Sequence, residues 1–331
     1  MVNSIQCEFP ILGRVRFSLS DRRLHEFCLR QFHYYGPTCL DNDEPPTASA
    51  EIVFEDLASR LPDSLFQTEQ TVGRTFRIKS NSIHTEKKMR SRFLKYEFFK
   101  RGKAVVCRID QLTPLIAGHA YKILKSNYDK SHEAFYEIAI NPLAGVLHLL
   151  GGFFAVHAMM VRKDDKSLLF YGLDGVGKST LTARFVNKGW SYCSDNVCFF
   201  DGTQAFGLTL PIRLSNEDQS QELTNARTIF SSSRLIEAVL PEFDTGCHKV
   251  DDLYHLVLSK GKIRRALADG GEFAPLLSAY GAPETNQINS FLAGFSSLRP
   301  LSGKTVTSSP QHHQVFGNEI GNIEKALEGI L

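Results

Sequence analysis

One stretch of the chain has the residue types and spacing of a phosphate-binding loop. Residues 172–179 read GLDGVGKS and fit the pattern G-x-x-x-x-G-K-[ST]. Glycines let a backbone wrap closely around a polyphosphate, so that successive N–H groups point at phosphate oxygens. In such a loop the lysine, here Lys178, reaches the β- and γ-phosphates, and the hydroxyl, here Ser179, holds Mg²⁺. The pattern predicts a nucleotide-binding set of Gly172, Leu173, Asp174, Gly175, Val176, Gly177, Lys178, Ser179 and Thr180.

The residues on either side of this loop predict a strand before it and a helix after it. Residues 168–171 are a short apolar run, which is typical of a buried strand. Residues 179–188 predict a helix with Leu181 and Phe185 on one face and Gly189 just past its end. The N-terminus of that helix would face the anion. This setting favours nucleotide binding over a glycine-rich turn that binds nothing.

A carboxylate follows the loop at a short distance, in the run Ser194-Asp195-Asn196. Asp195 could hold Mg²⁺, directly or through water, or accept the proton of an attacking hydroxyl. The alternative is an ordinary Asp in a turn. Two larger classes of phosphate-loop protein are disfavoured. Residues 187–190 lack the Asp of the guanine-specifying N-K-x-D motif, and the LSGGQ signature of transport ATPases is missing. Both absences favour small-kinase chemistry.

Taken together, these residues resemble the catalytic domain of the HPr kinase/phosphorylase family and its relatives, which include kinases of peptide serines. The family pattern is a His on the strand before the loop, then G-x-x-G-x-G-K-S, then two consecutive Asp residues. Here the His is His157, the first acidic position is Asp195, and Arg213 resembles a phosphate-contacting Arg of the family. The similarity extends over about residues 150–215.

The resemblance implies an α/β fold, with a P-loop kinase core of the HPr-kinase/PEP-carboxykinase-like type and an N-terminal α+β domain. We expect a strand-rich domain over residues 1–130 and the catalytic domain over residues 131–331. The implied cofactors are ATP, with GTP as the alternative, and Mg²⁺. The implied catalytic residues are Asp195, Lys178, His157 and Arg213, and the implied metal ligands are Ser179, Asp195 and Asn196.

The implied reaction transfers the γ-phosphate to a hydroxyl. The acceptor is a serine of a protein or peptide or, alternatively, a small-molecule or nucleotide hydroxyl. A nucleotide-binding regulatory module without phosphotransfer is the competing hypothesis. Three residues depart from the family pattern: Asn196 replaces the second Asp, Asp174 replaces a Ser, and Pro211 replaces the Glu of phosphorylase-competent members. The last departure argues against the reverse reaction.

The overall composition is that of a folded protein without a general affinity for polyanions. The 331 residues carry a formal net charge of +2, and 42% are hydrophobic. The seven cysteines include no CxxC pair, which favours free thiols in a reducing cytoplasm over a disulfide framework or a zinc site. The N-terminus does not have the pattern of a signal peptide. The sequence is compatible with a homo-oligomer as well as with a monomer.

Residues 138–161 contain no charged residue and are long enough to span a bilayer. They also contain Pro142 and the pair Gly151-Gly152. A helix over 131–150 followed by a strand over 153–160 explains them better than a membrane span, so we expect no contact with membranes.

A basic segment lies between Val72 and Ala104, where eleven Lys and Arg residues stand against two Glu residues, interleaved with aromatics. We favour the solvated outer face of a sheet with its aromatics turned inward. The alternative is a docking face for an acidic partner or nucleic acid.

Periodicity and turn residues predict several further elements. A hairpin joins residues 93–99 to 104–109, and strands are expected at 197–200, 206–210 and 253–258. Ser215 with Asp218 resembles a capping box that would open a helix through about residue 229. Three closing helices are predicted at 272–279, 284–295 and 320–330.

Overall fold

The chain divides into two compact units. In a computed structural model, unit 1 comprises Met1–His33, Pro37–Gly152 and Gln287–Gly303, and unit 2 comprises Tyr34–Gly36, Phe153–Asn286 and Lys304–Leu331. The structure describes residues 3–9, 13–19, 39–40, 51–57, 71–72, 76–79, 82–89, 92–101, 104–110, 143, 147, 153–172, 175–195, 197–208, 211–215, 226–231, 235–240, 243–258, 264–267, 311–317 and 327. The predicted boundary between residues 130 and 131 lies outside these ranges and stays a prediction.

Unit 1 contains a nine-stranded mixed sheet with the order β3-β1-β2-β4-β9-β8-β7-β6-β5. Its strands are β1 (Asn3–Phe9), β2 (Gly13–Leu19), β3 (Cys39–Leu40), β4 (Glu51–Leu57), β5 (Thr71–Val72), β6 (Phe76–Lys79), β7 (Ser82–Met89), β8 (Arg92–Arg101) and β9 (Ala104–Asp110). The predicted hairpin is confirmed, because β8 and β9 pair antiparallel on either side of residues 102–103.

One face of this sheet is apolar around β8 and β9. Tyr96 faces Ile109 and Phe98 faces Cys107 in the register, and all four side chains are buried. Tyr96 and Phe98 also stack on each other, with ring centroids 6.5 Å apart. Burial of such aromatic area is a main source of sheet stability. These two aromatics of the basic segment therefore lie inward, as predicted.

The opposite face of β8 differs from a simple solvated surface. Glu97 lies between His84 Nε2 and Arg108 Nη1, at 3.3 Å from each, and the Arg108 guanidinium lies 4.5 Å from the centre of the Phe99 ring. Lys95 is on this face as well and is only 9% exposed. The prediction of a solvated face is therefore wrong at Lys95, because its side chain is withdrawn from water.

Unit 2 contains one described helix and three sheets. Its elements are β10 (Phe154–Val156), β11 (Ala158–Lys163), β12 (Lys166–Gly172), α1 (Lys178–Asn187), β13 (Ser191–Ser194), β14 (Cys198–Phe200), β15 (Gln204–Gly207), β16 (Ile212–Ser215), β17 (Arg227–Ser231), β18 (Leu235–Val239), β19 (His248–Lys249), β20 (Asp252–Leu258), β21 (Arg264–Leu267) and β22 (Gln311–Gly317). The central sheet has the order β13-β11-β12-β20-β22-β21. Two smaller sheets have the orders β10-β14-β15-β19 and β16-β18-β17.

The central sheet is covered on both faces. On one face, Leu181 and Phe185 of α1 pack with Phe170 and Tyr254 in a buried cluster. On the other face, the four-stranded sheet packs through Phe200 and its neighbours against alternate residues of β11, β12 and β20. This three-layer arrangement explains why β12 reads as a continuous apolar run, since both of its faces are buried.

The helix α1 begins and ends close to the predicted positions. Its last turn is closed by hydrogen bonds from Gly189 N–H to the Val186 carbonyl and from Trp190 N–H to the Phe185 carbonyl. Gly189 has a φ of 81°, a conformation that costs glycine little. The Phe185 and Trp190 rings meet edge to face, with centroids 5.1 Å apart, and complete this helix end.

Two sequence-based predictions differ from the structure. The strand predicted over 153–160 is interrupted at His157, which separates β10 from β11, and these two strands belong to different sheets. The helix predicted from Ser215 through about residue 229 is wrong at its end, because residues 227–231 form β17. Residues 216–225 of that prediction lie outside the described residues, and Ser215 itself ends β16. Both β16 and β17 pair with β18, so sheet pairing determines the structure of residues 227–231.

The remaining predicted helices fall mostly outside the described residues. Leu143 and Leu147 are helical and buried, in agreement with the helix predicted over 131–150. The predicted helices at 272–279 and 284–295 are not described, and of 320–330 only Leu327 is. In the ranges given above, mixed sheets with few helices are consistent with the α/β class, and none of the described helical residues forms a helix long and apolar enough to cross a membrane.

Candidate functional site

Strand directions in the central sheet bring three predicted site residues to one edge. β11 runs antiparallel to both β12 and β13. The start of β11 therefore lies beside the ends of β12 and β13. His157 comes directly before β11, Gly172 is the last residue of β12, and Asp195 directly follows β13. Ligands of open α/β sheets bind at the carboxyl ends of strands, and this edge is such a place.

Two glycines shape the loop between β12 and α1. A Cβ atom at Gly172 would lie 2.6 Å from the carbonyl oxygen of Leu256, so that no larger residue fits there. Gly177 has a φ of 87° and directly precedes α1, and its carbonyl oxygen accepts the N–H of Leu181 at 2.9 Å. Backbone in this region is favourable for glycine and strained for other residues. The loop thus turns sharply into the first turn of the helix, as a phosphate-binding loop must.

Lys178 is folded back over the loop. Its Nζ donates a hydrogen bond of 3.0 Å to the carbonyl oxygen of Gly172, and the side chain is buried. The ammonium group therefore already lies beside the residues that would surround a polyphosphate.

Asp195 is buried at the same place and is held by two hydrogen-bond donors. Its carboxylate accepts the Ser179 hydroxyl and the backbone N–H of Arg213, and the charges of Lys178 and Arg213 act on it. Burial nevertheless raises the pKa of Asp195 above its usual value, and these donors and cations oppose that rise. The structure thus brings together three separate segments of the chain, which carry Lys178 with Ser179, Asp195, and Arg213.

His157 is the fifth predicted residue in this cluster. Its side chain is 6% exposed, and burial, followed by the charge of Lys178, lowers its pKa from 6.5 to about 3. The imidazole is therefore neutral at physiological pH. A neutral ring can hydrogen-bond within the site without adding to the positive charge of Lys178.

The depressed pKa of His157 predicts a specific acid sensitivity of the fold. Because the unfolded chain binds the proton more readily than the folded one, stability falls as pH drops below 6.5. We expect the His157→Gln variant to lack this contribution, so that its unfolding free energy relative to the wild type rises by about 2 kcal/mol between pH 7 and pH 5. Denaturant unfolding of both proteins at several pH values measures the difference. Parallel pH profiles for the two proteins would contradict the placement of His157.

Three predicted site residues, Leu173, Asp174 and Asn196, lie outside the described residues. Two residues beside Asp195 were not assigned roles from the sequence. The Tyr192 hydroxyl accepts the backbone N–H of Asp195, and the Ser194 hydroxyl lies within hydrogen-bond distance of two carbonyl oxygens. No sequence motif marks either residue.

The oxygen atoms at this edge suit Mg²⁺. A hydroxyl and a carboxylate are ligands that this hard cation prefers, and Ser179 and Asp195 already lie within hydrogen-bond distance of each other. Within the ranges that the structure covers, no three His, Cys, Asp or Glu side chains form another metal-binding group. Cys193 and Cys198 are buried free thiols, and Cys247 is half-buried.

Comparisons with known proteins give a weak structural similarity. No family model and no curated protein matches the chain. Among solved structures, the HPr(Ser) kinase/phosphatase from Coxiella burnetii is similar at 14% sequence identity and a TM-score of 0.17, over 43% of this chain and 94% of that chain.

Proposed function

We propose that the chain is a P-loop kinase that transfers the γ-phosphate of Mg·ATP to the hydroxyl of a serine in a protein or peptide. The observation that carries this proposal is the contact between Asp195 and Ser179, beside Lys178, at the carboxyl edge of the central sheet. A nucleotide-binding module needs the loop and its lysine. A kinase also needs a carboxylate within reach of the transferred phosphoryl group.

The residues of the loop bind and orient the nucleotide. Backbone N–H groups of residues 172–180 bind the phosphates, and the Lys178 ammonium leaves the Gly172 carbonyl to bind the β- and γ-phosphates. Ser179 and Asp195, with Asn196, would hold Mg²⁺, which would supply positive charge beside the phosphate oxygens. GTP is the alternative nucleotide, because the loop recognises phosphates rather than the base.

Asp195 acts on the acceptor. One of its carboxylate oxygens takes the proton of the serine hydroxyl as the serine oxygen attacks the γ-phosphorus. The bond between that phosphorus and the bridging oxygen of the β-phosphate breaks, and ADP leaves. Burial raises the pKa of Asp195, which makes it a better proton acceptor, while the charges of Lys178 and Arg213 favour its ionised form. Arg213 offsets negative charge on the transferring group, and His157, being neutral, orients neighbouring groups without repelling Lys178. Catalysis is then mainly positioning and electrostatics.

The reducing cytoplasm is the compartment that we propose. Burial raises the pKa of Cys107, Cys193 and Cys198, so that these thiols stay protonated and inert. We also keep the basic segment 72–104 as a candidate docking face for an acidic partner, on the strength of its excess of Lys and Arg over Glu.

The proposal is tested by a transfer screen with γ-labelled ATP and Mg²⁺. The acceptors are proteins and peptides encoded beside the gene, together with nucleosides and small alcohols. We expect label on a serine of one peptide or protein, identified by mass spectrometry, and transfer at least about 10²-fold slower with the Asp195→Asn variant. Label on a nucleoside or small alcohol would show that the acceptor is a small-molecule hydroxyl and not a serine. Nucleotide binding without transfer to any acceptor would favour the regulatory module instead.

A further inference from the structure

We propose that Ser194 is a positioning residue for Asp195 and that Gly207 leaves the space in which the Ser194 side chain lies. This inference rests on the proposed function, since it concerns how the carboxylate of that site is held. Neither residue belongs to the phosphate loop at residues 172–179.

The Ser194 hydroxyl connects two separate parts of the chain. Its Oγ lies 2.6 Å from the carbonyl oxygen of Val197 and 2.9 Å from that of Leu208, and its single proton can be donated to either. Val197 directly precedes β14 and Leu208 directly follows β15, so that these carbonyls mark the open end of the β14–β15 hairpin. The end of β13 is thereby fastened to that hairpin.

Asp195 lies within the turn that this contact closes. Ser194 and Val197 flank it, and the Tyr192 hydroxyl accepts its backbone N–H. Leu208 leads along the chain to Arg213, whose N–H donates to the Asp195 carboxylate. The Ser194 hydroxyl therefore holds the turn that contains Asp195. Through Leu208 it also helps to position β16, whose Arg213 N–H donates to the Asp195 carboxylate.

Gly207 is the residue that permits this contact. A Cβ atom there would overlap the Cβ of Ser194 and lie 2.5 Å from the Cys193 carbonyl oxygen and 2.6 Å from Ser194 Oγ. The atoms in the way include backbone of β13 and a buried side chain, which have no free direction in which to move. The close approach of β15 to β13 beside Asp195 thus requires glycine.

Removal of the hydroxyl is expected to loosen the Asp195 turn. We expect Ser194→Ala to lower kcat about tenfold, while the affinity for ATP without Mg²⁺ changes by less than about twofold because the phosphate loop is untouched. The matched control is Thr203→Ala, which removes a hydroxyl that donates to Asp201 at the other end of the same hairpin. This control should keep kcat near the wild-type value.

Insertion of a methyl group should displace the same turn further. We expect Gly207→Ala to lower kcat about 10²-fold, since a shift of about 1 Å at a catalytic group has effects of this size. The matched control is Gly189→Ala, which strains a positive φ at the end of α1 with open space around the new Cβ. Both variants lose folding stability, and only Gly207→Ala should lose this much turnover.

A double variant separates positioning from general damage. If Ser194 acts through Asp195, adding Ser194→Ala to Asp195→Asn should lower the residual transfer by less than about twofold. A further tenfold loss in the double variant, or an unchanged kcat in Ser194→Ala alone, would overturn the proposal.

The ratio of the ATP affinity with Mg²⁺ to the ATP affinity without Mg²⁺ tests the positioning role of Ser194 independently of phosphate transfer. Ser194→Ala should reduce this ratio, as Asp195→Asn does, and Thr203→Ala should not. A wild type that transfers no phosphate contradicts the proposed function, whereas an unreduced ratio in Ser194→Ala contradicts the role of Ser194. The two failures are therefore distinguishable.

Discussion

The Asp195→Asn variant is expected to bind Mg·ATP and to transfer phosphate at least about 10²-fold more slowly than the wild type. The amide has the size of the carboxylate but cannot take a proton from the acceptor. The side chain is buried, and burial disfavours its charged form, so that the neutral amide should not reduce folding stability. Initial rates of transfer at saturating ATP, with affinity measured by calorimetry, give the two quantities.

The control for this substitution is Asp165→Asn. Asp165 lies in the exposed turn between β11 and β12, so that the same chemical change there alters only surface charge. Transfer by Asp195→Asn within a few fold of the wild-type rate would remove Asp195 from its role as proton acceptor or metal ligand.

The Lys178→Ala variant should lose most phosphate recognition. We expect the wild type to bind Mg·ATP or Mg·GTP in the micromolar range, about −6 to −8 kcal/mol. Loss of a charged hydrogen-bond donor typically costs about 1.5–3 kcal/mol, which is roughly 10- to 150-fold in affinity. Calorimetric titration of both proteins tests this directly.

Two further variants make the result for Lys178 specific. Lys178→Met keeps most of the buried volume and should bind as weakly as Lys178→Ala. Lys188→Ala removes an exposed lysine just past the other end of α1 and should bind like the wild type. Equal nucleotide affinity in the wild type and Lys178→Ala would show that the loop does not bind phosphate.

The parts of the site that were predictable from sequence are those with local signals. The spacing of Gly172, Gly177, Lys178 and Ser179 defines the loop within a few residues, and the apolar run before it and the helical period after it fix its neighbours. The sequence also predicts Gly189 as the helix end, because a glycine tolerates the positive φ found there.

The parts that were not predictable depend on contacts between distant residues. Residues 227–231, where the predicted helix would end, form strand β17 because they pair with β18, which no local signal indicates. Ser194 and Gly207 acquire their significance only when β15 lies against β13. The interruption at His157 has the same origin, since it is the point at which the chain passes from one sheet to another.

The order of the strands explains why a short sequence signal can still define a site. His157, the loop and Asp195 reach the same edge because β11 lies antiparallel between β12 and β13. Arg213, which is distant from Asp195 in the sequence, contacts the Asp195 carboxylate through its backbone N–H. Sequence motifs identify these residues, whereas their common location follows from the directions of β11, β12 and β13.

The most direct test of the site is a crystal structure of the wild type with Mg²⁺ and a non-hydrolysable ATP analogue. We predict that the triphosphate lies along the backbone of residues 172–180, that Lys178 Nζ moves from the Gly172 carbonyl to the β- and γ-phosphates, and that Mg²⁺ lies between Ser179 and Asp195. A triphosphate bound elsewhere, or one whose γ-phosphate points away from Asp195, would contradict the assignment of this edge as a phosphotransfer site.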